Sequence, residues 1–203
     1  MLLNTPPVLV IVGFWNHSIF TRDWIKYTLF PTEEVIIEQT SIPNSTLIFG
    51  AGSYKVFIQD NRLTFLTEQH SPEVYDIIEK KAVEIITLLK HTPLTAFGIN
   101  FAFDLRYNQT LNEINPEKDQ AFFKSQGYFC DTTLLHRVFT KDTHQFNLNI
   151  NFSPTNVRID VNINFQINDS NLFLKLFSKG ILDEKKIETE RLIQSNYGTS
   201  SSI

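Results

Sequence analysis

The chain has 203 residues, 42% of them hydrophobic and 20% charged, with a formal net charge of -4 and a pI near 5.7. That length is enough for one large domain or two fused small ones with a real core, and the composition excludes global disorder. The acidic balance disfavours a general nucleic-acid binder, which needs a surplus of Lys and Arg, although it leaves room for a local basic patch.

A single cysteine, Cys130, cannot form an intrachain disulfide and fits a reducing compartment. No stretch approaches the roughly 20 apolar residues that span a bilayer. The apolar run from Val8 to Val12 lacks both a basic flank before it and a small-residue cleavage site after it, which is not the build of a signal peptide. The expectation is a cytoplasmic protein. Eighteen Phe against one Met and two Trp suit pleated, half-buried surfaces and tilt the chain toward sheet.

In chain order, Val8 to Val12 reads as a buried central strand ending at Gly13. Ser18 or Thr21 can cap a helix that runs to about Leu29 and stops at Pro31. Strands are predicted at Glu34 to Gln39, Ser45 to Phe49, Tyr54 to Gln59 and Arg62 to Leu66. Gly50 to Ser53 and Asp60-Asn61 supply turns. Ser71 as cap and Pro72 at the first position open a long helix whose Val74, Ile78, Ala82, Ile85 and Leu89 recur at helical spacing.

Thr95 to Arg106 alternates strictly. Phe97, Ile99, Phe101, Phe103 and Leu105 face one way; Ala96, Gly98, Asn100, Ala102 and Asp104 face the other. A helix capped by Asn115 and Pro116 should follow, ending near Gly127. Tyr128 to Thr140 is strand-like, with an irregularity near Asp131. A hairpin then pairs Phe146 to Phe152 with Val157 to Ile167 around the turn Ser153 to Asn156. A helical stretch from Ser170, bent at Gly180 and resumed from Asp183 to about Gln194, leads into a frayed polar tail.

The elements repeat in order. Residues 1–92 read strand, helix, four strands, long helix; residues 93–195 read strand, helix, at least three strands, long helix; residues 196–203 are the tail. The predicted fold is therefore α+β: a pseudo-duplicated unit building a curved antiparallel sheet with helices on one face. Carried by Thr46-Leu-Ile-Phe-Gly50, Ser53-Tyr-Lys-Val-Phe57, the helix from Ser71 and the strand Thr95 to Phe103, this order resembles the duplicated saddle of the TATA-box-binding-protein family. Sporadic uncharacterised bacterial families share a similar order. The resemblance covers most of the chain and implies shape only. This chain is acidic and lacks the Lys and Arg framing of a DNA-binding saddle.

Seven of the 17 asparagines fall between Asn147 and Asn168. On the paired strands, Asn147, Asn149, Asn151, Arg158, Asn162 and Asn164 share the polar side. The amides offer both donors and acceptors, so this side is either a solvated face or a binding surface. None of His17, His70, His91, His136 and His144 has zinc-site spacing, and Gly50-Ala-Gly52 lacks the P-loop Lys and the following helix. No metal, cofactor or catalytic group is predicted. Lys80, Lys81 and Lys90, beside Glu79 and Glu84, read as a solvated helix face.

The leading functional expectation is a non-enzymatic interaction or assembly protein, homo-oligomeric or bound to a protein partner through its broad sheet and pairable edges. The alternatives are nucleic-acid or nucleotide binding on the Asn-rich face, with Phe and Tyr stacking nearby, and a small-ligand enzyme using a cavity between sheet and helices.

Overall fold

Alternating polarity along nearly every strand leaves each with one greasy side, and the fold buries those sides together under helices. The computed structural model describes residues 7–40, 46–105, 124–126, 133–152, 157–197 and 201–202. The first half comprises β1 (Leu9–Gly13), a helical segment, β2 (Ile36–Thr40), β3 (Thr46–Gly50), β4 (Tyr54–Gln59), β5 (Arg62–Thr67) and α2 (Pro72–Leu88). The helical segment is a 3₁₀ turn at His17–Ile19, then α1 (Arg22–Trp24), continued by a π turn at Ile25–Leu29. The second half comprises β6 (Leu94–Leu105), β7 (Thr133–Lys141), β8 (His144–Phe152), β9 (Val157–Gln166), α3 (Ser170–Leu176) and α4 (Ile181–Tyr197).

The strands lie in the order β2-β3-β4-β5-β1-β6-β9-β8-β7, and every neighbouring pair is antiparallel. β1 and β6 meet at the centre, and each half unfolds outward from its own first strand. The duplication is thus visible in the sheet, with β9, β8 and β7 standing where β5, β4 and β3 stand in the first half. β2 has no counterpart among the described strands. Ser201–Ser202 pairs with Asp104 and Phe103 of β6.

One row of side chains crosses all nine strands on the helix side: Ile37, Phe49, Val56, Phe65, Leu9, Ile99, Ile163, Phe146 and Phe139. Its middle members are buried. Helices complete the burial. Phe97 stacks on Phe165 at 4.4 Å between ring centroids and meets Phe173 of α3 and Phe177 edge-on at 5.2 and 5.6 Å. A fully buried Phe is worth about 2–3 kcal/mol of transfer energy, so this quartet is a strong clamp between sheet and α3.

Local chemistry sets the helix ends. Ser71 accepts from the Val74 N–H and Pro72 sits at the first position, as the sequence predicts. Asp169 caps α3 through the Leu172 N–H at 2.7 Å. Gly180, at φ +84°, permits the turn between α3 and α4.

Several expectations need correction. The segment after β1 is not a regular α-helix: Asn16 caps its 3₁₀ turn and Thr21 caps α1, so two local side-chain bonds divide it. α4 begins two residues before Asp183 and ends at buried Tyr197, inside the tail expected to fray from residue 196. Lys81 is not on a solvated face. It is buried, its Nζ donates to the Leu29 carbonyl and to Glu84, and it lies over the Phe30 ring at 4.3 Å. Lys80 and Lys90 are exposed as expected, and Lys80 pairs with Asp76 at 2.6 Å. The predicted cap at Asn115, Pro116 and Gly127, Cys130, Asp131 and the turn 153–156 lie outside the described residues. Among the described residues, no helix is long and apolar enough to cross a membrane.

Glu79 is also buried. Its carboxylate accepts the N–H groups of Gly180 at 2.6 Å and Leu182 at 2.8 Å, so α2 supplies the cap for α4. Glu79→Ala would strand the buried Leu182 N–H and release the part-buried Gly180 N–H from its partner. A loss of about 3 kcal/mol in urea-unfolding stability is the expected outcome.

Candidate functional site

The predicted site residues all lie on the face of the sheet opposite the helices. Asn147 and Asn162 are cross-strand partners, and Asn162 is in turn the partner of Asn100 on β6. Their amides form a directional chain. Asn147 Nδ2 donates to Asn162 Oδ1 at 2.9 Å, Asn162 Nδ2 to Asn100 Oδ1 at 2.8 Å, and Asn100 Nδ2 to the Pro7 carbonyl at 2.8 Å.

Asn149 bonds to His136 of β7 through Oδ1 at 2.6 Å. Arg158 Nε pairs with Asp160 at 2.9 Å, and Arg158 stands between Asn151 and Asp104 on the neighbouring strands. Asn164 lies between Gln145 and Gly98. Asn147 and Asn162 are thus brought into contact, while Asn149, Asn151, Arg158 and Asn164 occupy neighbouring rungs. Asn100, on the side of its strand away from Phe97 and Ile99, is the member that completes the row.

Gly98 makes that row possible: a Cβ there would meet Asn162 Nδ2 at 2.6 Å. The row can cement three strands. Its donors and acceptors are largely spent on one another, which leaves little for a ligand to replace.

The other prominent feature is at the sheet edge. β7 is nine residues long and has one described neighbour, β8. It carries apolar side chains on both faces: Leu134 is 65% exposed, Val138 50% and Phe139 51%. Behind it, between the helix side of β7 and β8 and the last turns of α4, lies a groove of about 410 Å³. Phe139, Phe146 and Leu148 form its sheet wall; Leu192, Ile193 and Tyr197 form its helix wall. Arg137, Lys141, His144 and Glu188 supply its polar groups.

Family models, curated proteins and solved structures were all compared with the chain, and none matches. The resemblance to the saddle family accordingly rests on element order alone.

Electrostatics at the groove are set by α4. Glu188 accepts from Lys185 at 2.7 Å and lies 3.9 Å from Lys141 across the groove. The Lys185 hydrogen bond holds the Glu188 carboxyl below its ordinary value, and burial pushes His144 below its own. The strand itself carries His136, Arg137 and Lys141 and no carboxylate. Among the described residues, no three His, Cys, Asp or Glu side chains gather as a metal site. The arrangement suits recognition: an apolar trough beside a cationic strand with exposed apolar side chains.

The sequence reading passed over this edge. The signal was present in Leu134-Leu135 and Val138-Phe139, two adjacent apolar pairs that break alternation and place apolar groups on both faces of one strand.

Two outcomes follow from these contacts. Gly98→Ala should displace the Asn162 amide, break its bond to Asn100 and lower stability by about 1–3 kcal/mol in urea unfolding. Both His144 and Glu188 have lowered folded-state values, so each contributes stability that is complete above its unfolded value and lost as pH falls. Stability should therefore drop first below pH 6.5 through His144 and again below pH 4.5 through Glu188. His144→Gln should lessen the first fall, to which His70, also lowered by burial, contributes the same way, and Glu188→Gln should lessen the second, read from unfolding midpoints across pH.

Proposed function

We propose that this is a non-enzymatic interaction or assembly protein, which takes up an extended segment of another polypeptide as an added strand on β7. The supporting observation is the pairing of a long, apolar, exposed edge with the groove directly behind it. Main-chain hydrogen bonds along β7 would supply affinity, and alternate side chains of the incoming strand would drop toward the groove and supply selectivity. Because Arg137, His136 and Lys141 sit on β7 without a carboxylate in the strand, the segment that fits is apolar and acidic. The expected cytoplasmic setting belongs to the same proposal.

The test is selection of displayed random peptides on the immobilised full chain. Enriched peptides should interleave apolar and acidic residues. Phe139→Ala should weaken their binding by about 10–100-fold, the range of an aromatic anchor in an interface. Arg137→Glu should shift the preference away from acidic sequences. Peptides with no acidic bias, or binding indifferent to both substitutions, would remove the proposal.

A further inference from the structure

We infer that the segment received by β7 is the β2 edge of a second copy of this chain, so that copies join head to tail into one continuing sheet. This rests on the reading of β7 as a strand-accepting edge and names its occupant.

The two edges of the sheet have complementary chemistry. β2 and its approach carry Glu33, Glu34 and Glu38, all exposed, with no Lys or Arg from Thr32 to Thr40. Ile36, in the middle, is 68% exposed. β7 carries the cations and the matching apolar groups. Pairing β7 with another β7 would run antiparallel; centred on Arg137, it would set that guanidinium against its own copy with no carboxylate in either strand to offset it, and like charges directly across a strand pair are destabilising.

Topology agrees with a head-to-tail junction. Nine strands in unbroken antiparallel alternation leave the first and the last, β2 and β7, running in the same direction. A second copy shifted along the sheet, with its helices on the same side, therefore presents β2 to β7 as a parallel neighbour. Faces stay in phase. Ile37 and Phe139 are the two ends of the apolar row that crosses the whole sheet on the helix side. Setting Ile37 of the second copy beside Phe139 carries that row into the next molecule. The same register sets Ile36 beside Val138 and Glu34 beside His136, and brings Glu33 diagonally next to Arg137. A heterologous contact of this kind leaves a free edge at each end and adds further copies, as a chain or, where the rotation closes, a ring.

The experiment uses the full chain and two edge variants in sedimentation velocity. One variant, Ile36→Lys with Glu38→Lys, blocks β2; the other, Arg137→Glu with Val138→Glu, blocks β7. Unfolding midpoints close to the parent's confirm that each is folded, and the single changes Glu38→Lys and Arg137→Glu replace any that is not.

The parent should form species larger than a dimer as concentration rises, and less so in high salt. Each variant alone should stay monomeric, and the two mixed should form a 1:1 dimer that grows no further. Dimers of the β2-blocked variant alone would indicate β7–β7 pairing and overturn the inference, as would a monomeric parent or two variants that ignore each other.

The selected acidic peptides separate the two levels. If they bind the β2-blocked variant while the parent stays monomeric, the strand-accepting edge stands and the head-to-tail partner falls. If they bind neither parent nor variant, both fall.

Discussion

The antiparallel contact between β1 and β6 is the constraint on which the molecule is built. It sets Ile11 beside Phe97 and Leu9 beside Ile99, and it turns two half-sheets into one. Each half then adds strands on its own side, so the sheet extends from this central pair to the edges β2 and β7. Gly13, where a Cβ would sit 2.6 Å from the Pro93 carbonyl, marks how closely the two halves approach at this seam.

The halves share a plan but differ in how they close. In the first, the helical segment after β1 buries Ile25, Leu29 and Phe30, and Phe30 packs edge-on to Phe49 of β3 at 5.9 Å. Lys81 on α2 secures this segment by binding the Leu29 carbonyl. In the second half, the strand in the position of β3 is β7, whose Phe139 is half exposed where Phe49 is buried. One structural plan thus yields a covered strand on one side and an apolar trough on the other. Among the described residues, β3 also has β2 outside it, whereas β7 has no further strand beyond it.

The two faces of the sheet divide the physical work. The helix side holds the burial energy in rows of aliphatic and aromatic residues. The opposite face in the second half holds an amide row fixed by Gly98 and tied to the backbone at Pro7. Asn is a poor strand former on propensity, yet here each amide gains a partner at a matched rung, which offsets that preference. Asn100, Asn147 and Asn162 therefore have a structural account independent of any ligand.

Much of this was legible in the residues. Strict alternation in β6, β8 and β9, the Ser71-Pro72 cap and the repeated element order determined the fold class, the strand faces and the duplication, because period and capping are local properties of the chain. Three things were decided only by tertiary structure. Glu79 and Lys81 are charged residues on an amphipathic helix, and only their distance to Gly180, Leu182 and Leu29 makes them interior. Asn100 joins Asn147 and Asn162 because register, set by long-range pairing, aligns three strands. The groove exists because α4 crosses behind β7 at a particular height, and no local pattern encodes where two distant elements cross.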